Sequence, residues 1–270
     1  MQLQFRQLKH TATPLIFFQK ISEPLNMKLN KNVILITGGT SGIGLEMVRQ
    51  FHELDNKLIV TSSNQDNLDK LKIKFPNISI LTCDLSDSQS VRKLIDKCLT
   101  EYSDINIVIN NAGVQKNYVW TEEKDGFEKI EQEIRVNFTS PMQIIYGLLP
   151  ILTNKKSSAI VNVSSGLAFA PKKSAPIYCA TKSAIHNGTK ALRYQLEATN
   201  VRVFEIIPPL VDTAMTKGRG KGKISPKQLV DEFIRNFKVD KFESNIGKIK
   251  FLRIIQRISP KLADNILKNG

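Results

Sequence analysis

The chain has 270 residues, enough for one large α/β domain or for one domain with small appendages. Its 41% hydrophobic content can build a core and excludes a disordered chain. Apolar stretches such as 105–109 and 206–211 fall far short of the ~20 residues a membrane-spanning helix needs. The net charge of +14 is uneven, because residues 217–270 hold 14 Lys+Arg against 5 Asp+Glu. That end is either a solvated basic surface or a face for an anionic partner. Cys83, Cys98 and Cys179 form no C-x-x-C pair and the three histidines are scattered, so neither a disulfide framework nor a zinc pattern is present. An odd cysteine count in a chain of this length fits a reducing, cytoplasmic setting.

Residues 1–26 lack clean periodicity and read as an unstructured or mis-started extension; a targeting segment is the alternative, weakened by few serines and one arginine. From residue 32 short apolar runs alternate with helical patterns. Strands are expected at 33–37, 58–61, 78–82, 105–110, 159–163 and 201–207. Helices are expected at 45–54, 68–75, 88–102, 126–152 with a break near Pro141, and 176–198. This alternation predicts a doubly wound parallel sheet covered by helices on both faces, spanning 27–216. A Gly- and Lys-rich loop follows at 215–224. Ser225, Pro226 and Gln228 then spell a capping box opening a further helix, and Ser259-Pro260 caps a last short one. Residues 217–270 therefore read as a small, basic, helical extension.

Thr37-Gly38-Gly39-Thr40-Ser41-Gly42-Ile43-Gly44 lies between the first strand and the first helix. Gly38 permits a tight turn. Gly42 and Gly44 let backbone approach a pyrophosphate, which the helix N-terminus attracts through its free N–H groups and dipole. Asp84-Leu85 ends the third strand and Asn110-Asn111-Ala112-Gly113 the fourth, where ligands bind in open parallel sheets. Tyr178 and Lys182 stand four apart on an expected helix and so share one face. A neighbouring ammonium is expected to lower the phenol's pKa and suit Tyr178 to acid–base work.

This ordered set resembles the classical short-chain dehydrogenase/reductase (SDR) family over roughly 31–213, and the segments INNAGVQ, SSGLAF and EIIPPLVDT are most similar to DltE-like bacterial oxidoreductases. The resemblance implies a Rossmann-type sheet and hydride transfer between NAD(P) and a carbonyl/alcohol pair. It assigns the cofactor to Gly38, Thr40, Ser41, Gly42, Ile43, Gly44, Ser63, Asp84, Leu85, Asn111, Ala112, Gly113, Val211 and Thr213, together with Tyr178 and Lys182. Asp84 matches the family's adenine contact, Ala112 and Gly113 its ribose contact, and Thr213 its nicotinamide or phosphate contact. Ser165, 13 residues before Tyr178, matches the serine that holds the substrate oxygen, with Ser164 ranked second. Asn137 matches the asparagine that links the lysine to solvent. No metal is required. Pro209 departs from the family's usual Pro-Gly, which stiffens that turn.

After the second strand, Thr61-Ser62-Ser63-Asn64 carries no acid to receive a ribose 2′-hydroxyl, which favours NADP; it carries no arginine either, which leaves NAD open. An apolar substrate pocket is expected from Val114, Leu167, Phe169, Leu210, Met215 and Trp120. The glycines of 214–223 suit a lid, and Lys217, Arg219, Lys221 and Lys223 could attract an anionic substrate. Family members pair through the helices carrying Asn137 and Tyr178, which implies a homodimer or homotetramer. Two other classes stay open. One is a non-catalytic nucleotide sensor, against which the full Ser-Tyr-Lys-Asn set argues. The other is a peripheral membrane protein, since 247–258 mixes apolar and basic residues as an interfacial helix does. That stretch suits covering a pocket or an oligomer contact equally well. No aromatic platform supports nucleic-acid binding.

Overall fold

The computed structural model describes residues 27–269, so the reading of 1–26 lies outside the described residues. The first strand, β1 (Val33–Thr37), pairs in parallel with β2 (Lys57–Ser62) on one side and β4 (Ile107–Asn110) on the other. With β3 (Ser79–Thr82), β5 (Ser158–Val163), β6 (Val201–Ile207) and β7 (Glu243–Asn245) they form one parallel sheet in the order β3-β2-β1-β4-β5-β6-β7. The strands are apolar on both faces because both faces are covered. Ile34 and Ile36 of β1 pack with Met47, Val48 and Phe51 of α1 (Gly42–Glu53) and with Phe233 and Phe237 of α7 (Pro226–Lys238); α2 (Gln65–Lys74) adds Leu68 and Leu71. Leu35, pointing the other way, packs with Val91 and Leu94 of α3 (Ser88–Glu101) and with Ile144 and Leu148 of α5 (Ser140–Thr153). Strand order reverses between β1 and β4, and the crevice at their carboxyl ends is where such sheets bind ligands.

Each of the six expected strands is present. Two begin later than expected, Ser79 for 78 and Ile107 for 105. Two helices start earlier: α1 at Gly42, directly on the glycine turn, and α2 at Gln65, because the Asn64 side chain accepts from the Asn67 N–H and caps it. The expected break near Pro141 takes the form of a π-helical turn just before it. α4 (Gly126–Ile134) runs through a π-helical turn, Arg135–Thr139, into α5, and Pro141 sits in the first turn of α5, where its missing N–H is tolerated. α6 (Pro176–Gln195) ends before the expected 198. The Ser225/Gln228 capping box opens α7 as expected. Ser259 precedes α9 (Pro260–Leu267), but its side chain makes no capping bond; its backbone, at φ −143° and ψ 85°, serves as the junction with α8 (Ile249–Ile258).

β7 was not expected from the sequence. It is three residues long and polar, so it carries no periodic signal. Through α7 and β7 the 217–270 stretch contributes to the sheet and its helical layer, and α8 and α9 lie beyond β7. Among the described residues no helix is long and apolar enough to cross a membrane.

Candidate active site

The glycine turn closes so tightly that its residue types are dictated by space. Gly38 has φ +65°, and a Cβ there would lie 2.9 Å from Ala112 Cα. A Cβ on Gly44 would lie 2.2 Å from the Gly38 carbonyl oxygen and 2.5 Å from Asn111 Nδ2. Asn111 explains the closeness: its Nδ2 donates to Thr37 O at 3.0 Å and to Gly38 O at 3.1 Å, stapling β4 to the turn. Thr37 Oγ1 accepts from the N–H groups of Asn111 and Ala112. Gly42 has φ +54° and faces the Thr213 side chain. Ser41 is the N-cap of α1, yet its side chain accepts none of the first-turn N–H groups. Free donors at a helix N-terminus, beside a backbone cradle that any Cβ would fill, fit a dinucleotide pyrophosphate.

The remaining expected cofactor residues ring this turn with different fates. Thr40 Oγ1 donates to Ser62 Oγ at 3.2 Å, tying the turn to the tip of β2, while Ser41 and Ser63 are exposed there. Asp84 is exposed; one carboxylate oxygen accepts from Ser86 N and Oγ, so it also shapes its own turn. Leu85 is buried, and its carbonyl accepts from Ser140 Oγ at 2.6 Å. Gly113 lies where a Cβ would meet Asn137 Oδ1 and Lys182 Nζ, at 3.2 and 3.6 Å. Val211 is buried and bridges to Ile224.

On the other side of the crevice, α6 presents Tyr178 and Lys182 on one face, with Lys182 Nζ 5.6 Å from the centre of the Tyr178 ring. Ser165 follows β5 and caps a short helical turn, its Oγ accepting from Leu167 N at 3.1 Å. That bond uses an oxygen lone pair and leaves the hydroxyl proton to donate. Burial pushes the Tyr178 phenol up to about 12, opposed by the Ser165 hydroxyl and the Arg219 cation. Burial pulls the Lys182 ammonium down to about 8, opposed by the buried Glu205 carboxylate. The expected lowering of Tyr178 by Lys182 is therefore not produced by these residues. Both groups are desolvated, which disfavours both charged forms, and Lys182 Nζ donates instead to Val163 O at 2.8 Å.

Asn137 lies in the π-helical turn, a feature that recurs at functional sites. Its side chain clamps one peptide: Oδ1 accepts from Val114 N and Nδ2 donates to Val114 O, each at 2.8 Å, with Thr181 Oγ1 a second acceptor. Four residues on stands Pro141, which has no N–H to give the Asn137 carbonyl. Glu133, not singled out in the sequence, is buried beside this set. One of its oxygens accepts from Lys116 N at 2.9 Å, the other has no partner, and burial raises its pKa. Its only sequence signal was an acid on an otherwise ordinary helix.

Ser165 and Tyr178 open onto a cavity of about 640 Å3 that reaches from Ile43 to α8 and α9. Of the expected pocket residues, Leu167, Leu210 and Met215 line it. Val114 packs into the core, Phe169 is turned onto His186 and Arg253, and Trp120 is exposed. Ile249, Leu252 and Ile255, from the stretch that suited covering a pocket, supply much of the apolar wall, and Leu267 of α9 adds to it. A Cβ on Gly166 would lie 2.4 Å from Ile249 Cδ1, so that glycine lets α8 close down beside Ser165.

A family model described as short chain dehydrogenase matches residues 32–223. The chain belongs to that family. It is 38% identical over 236 residues to the uncharacterised oxidoreductase DltE of Bacillus subtilis, covering 84% of this chain and 92% of that one. An uncharacterised oxidoreductase of Staphylococcus epidermidis is 27% identical over 212 residues, covering 77% and 91%. Among solved structures, a short chain dehydrogenase from Burkholderia cenocepacia in complex with NADP superposes with a TM-score of 0.80 at 22% identity, over 90% of this chain and all of that one. One from Burkholderia phymatum in complex with NAD gives 0.74 at 18%, over 86% and 96%.

Proposed function

We propose that this short chain dehydrogenase transfers a hydride between NADP and a carbonyl/alcohol substrate held against Tyr178 and Ser165. The observation that carries this reading is the joining of two features by one crevice: a glycine cradle shaped for a pyrophosphate, and a buried Ser165–Tyr178 pair at the mouth of an apolar cavity. The bound nicotinamide supplies or accepts the hydride. Ser165 donates its hydroxyl proton to the substrate oxygen and fixes its position. Tyr178, protonated at neutral pH because its pKa is near 12, gives its proton to that oxygen in reduction and takes it back in oxidation. Lys182, whose pKa near 8 lets it change protonation close to working pH, restores the proton on Tyr178. Asn137, whose Oδ1 and the Lys182 Nζ both border Gly113, is the group that connects Lys182 to solvent on this reading.

NADP is the preferred nucleotide on this reading. No carboxylate stands at the tip of β2, where Ser62, Ser63 and Asn64 leave room and polarity for a 2′-phosphate. The bacterial relatives bound to NADP and to NAD show that this fold accommodates either, so the preference rests on the β2 tip alone. Self-association through α4, α5 and α6 is part of the proposal, supported by the exposed Tyr146 and Tyr194 on those helices. A cytoplasmic setting fits three buried free thiols.

The test is fluorescence titration with NADPH and NADH, followed by nucleotide oxidation against a panel of carbonyls. Tyr178→Phe is expected to lower kcat by about 10²–10⁴-fold while nucleotide affinity stays within about twofold. Undiminished turnover in that variant refutes the scheme, and absence of nucleotide binding refutes the cradle.

A further inference from the structure

Four cations line the cavity with no ion-pair partner among the described residues; Lys221 and Lys248 are exposed to water, whereas Lys172 and Arg219 are drawn out of it. Lys172, on the loop between β5 and α6, is 8% exposed and lines the cavity together with Ser165 and Tyr178. Arg219, from the glycine-rich loop, lines the same cavity, and its Nη1 is buried with no hydrogen-bond partner. Neighbouring cations are satisfied: Lys223 pairs with Asp212 at 3.3 Å and Lys250 with Glu232 at 2.6 Å. Burial lowers the Lys172 pKa and the approach of Arg219 lowers it further, with no carboxylate among the charges acting on it. Two like charges held together in a half-dry cavity are unfavourable unless an anion completes the group. Arg219 and Lys172 line the same cavity as Ser165 and Tyr178, which puts these charges within one chamber with the reacting groups. The far end is aliphatic, walled by Ile249, Leu252, Ile255 and Leu267.

We propose that Lys172 and Arg219 form an anion-binding subsite, so that the substrate is a carbonyl compound with an anionic group close to the reacting carbon and an aliphatic chain beyond it, an oxo acid or an oxo phosphate ester. The word substrate rests on the hydride-transfer reading; the subsite itself does not. The loop carrying Lys172 is held from both sides: Lys173 N donates to Lys268 O at 3.0 Å and Ala175 N to Lys172 O at 3.4 Å. The lysine therefore belongs to a preformed wall. Arg219 follows Gly218 and precedes Gly220, both at positive φ, on the loop that faces it. An anion gathered between them would draw that loop onto α8.

Calorimetric titration of the full chain with octanoate, octyl phosphate and octan-1-ol tests the subsite without any turnover. At least one anion is expected to bind about tenfold or more tightly than the alcohol, and which one it is distinguishes carboxylate from phosphate. Lys172→Met and Arg219→Met are each expected to collapse that preference and Lys172→Arg to retain it. Lys241→Met, an exposed cation outside the cavity, should leave it unchanged. Equal binding of alcohol and both anions, or a preference that survives both methionine variants, overturns the subsite. Turnover of 2-oxooctanoate against octan-2-one then separates the two readings. Anion preference without turnover of any carbonyl leaves the subsite standing and removes the hydride-transfer reading. Equal turnover of both ketones without anion preference does the reverse.

Discussion

Lys182→Met should make the protein more stable while destroying its chemistry. In the folded chain Lys182 is 4% exposed, and burial takes its pKa from an ordinary 10.5 to about 8. That difference is worth about 3 kcal/mol against folding where the lysine is charged in both states, below about pH 8. Methionine has similar length and no charge, so it escapes this penalty. It also loses the Nζ–Val163 O bond, which returns about 1 kcal/mol. A net gain of about 2 kcal/mol remains, equivalent to a rise in Tm of about 4–8 °C for a chain of this size. The sign has a pH signature. The folded pKa lies below the unfolded one, so the wild type carries its full penalty below about pH 8, sheds it between about pH 8 and 10.5, and carries none above. Urea unfolding of both proteins at pH 7 and pH 10 reads this directly. A variant less stable than wild type at pH 7, or an advantage that does not shrink by pH 10, would refute the claim that Lys182 is held against its own desolvation.

Gly44→Ala should cost about 2–4 kcal/mol in urea unfolding and weaken nucleotide binding, because its Cβ meets the Gly38 carbonyl and the Asn111 staple. Gly218→Ala, with nothing within 4 Å and only its φ of +75° to strain, should cost about 1 kcal/mol; equal losses would refute the steric account. Glu133→Gln should flatten the pH dependence of stability. Burial raises the Glu133 pKa above 4.5, so the wild type loses stability as pH rises through that raised value and the amide does not. Parallel curves from pH 4 to 8 would show that the carboxyl is not desolvated. Burial raises the thiols of Cys83 and Cys179 and takes Cys98 to about 12, so a disulfide reagent at pH 7.5 should label none of the three until the chain unfolds. Rapid labelling of the native protein would contradict their burial.

The sheet was legible because its physical cause is local. A strand covered on both faces must be apolar throughout, and β1, β4 and β5 announce themselves as such runs. The glycine turn was legible for the same reason: each glycine answers a steric demand imposed within a few residues. What escaped were features decided by partners far along the chain. β7 is Glu-Ser-Asn, and it is a strand only because β6 offers it an edge. The helix break near Pro141 was legible, but not that it would be a π-turn, because the i→i+5 register is set by how α4 and α5 pack and not by the proline alone.

The residues proposed for chemistry and those proposed for specificity differ in the same way. Tyr178 and Lys182 are joined by one turn of helix, so spacing puts them on one face, whereas Ser165 and Asn137 came into view only through the resemblance to the family. Their pKa values do not follow from spacing. A sequence can show that an ammonium lies one turn from a phenol, but not that both are drier than they are close. The cavity wall goes further still. Ile249 reaches Ser165 only because Gly166 has no side chain, and Lys172 becomes a binding group only because α9 anchors its loop and no acid arrives to neutralise it. A basic residue in a lysine-rich chain reads as solvated surface until the fold withdraws water from it. The +14 charge pointed to the C-terminal end, yet the cation that matters most in the cavity comes from before α6. Net charge along a chain reports where cations are dense; burial without a counter-ion reports where an anion is missing, and only the second is a statement about a ligand.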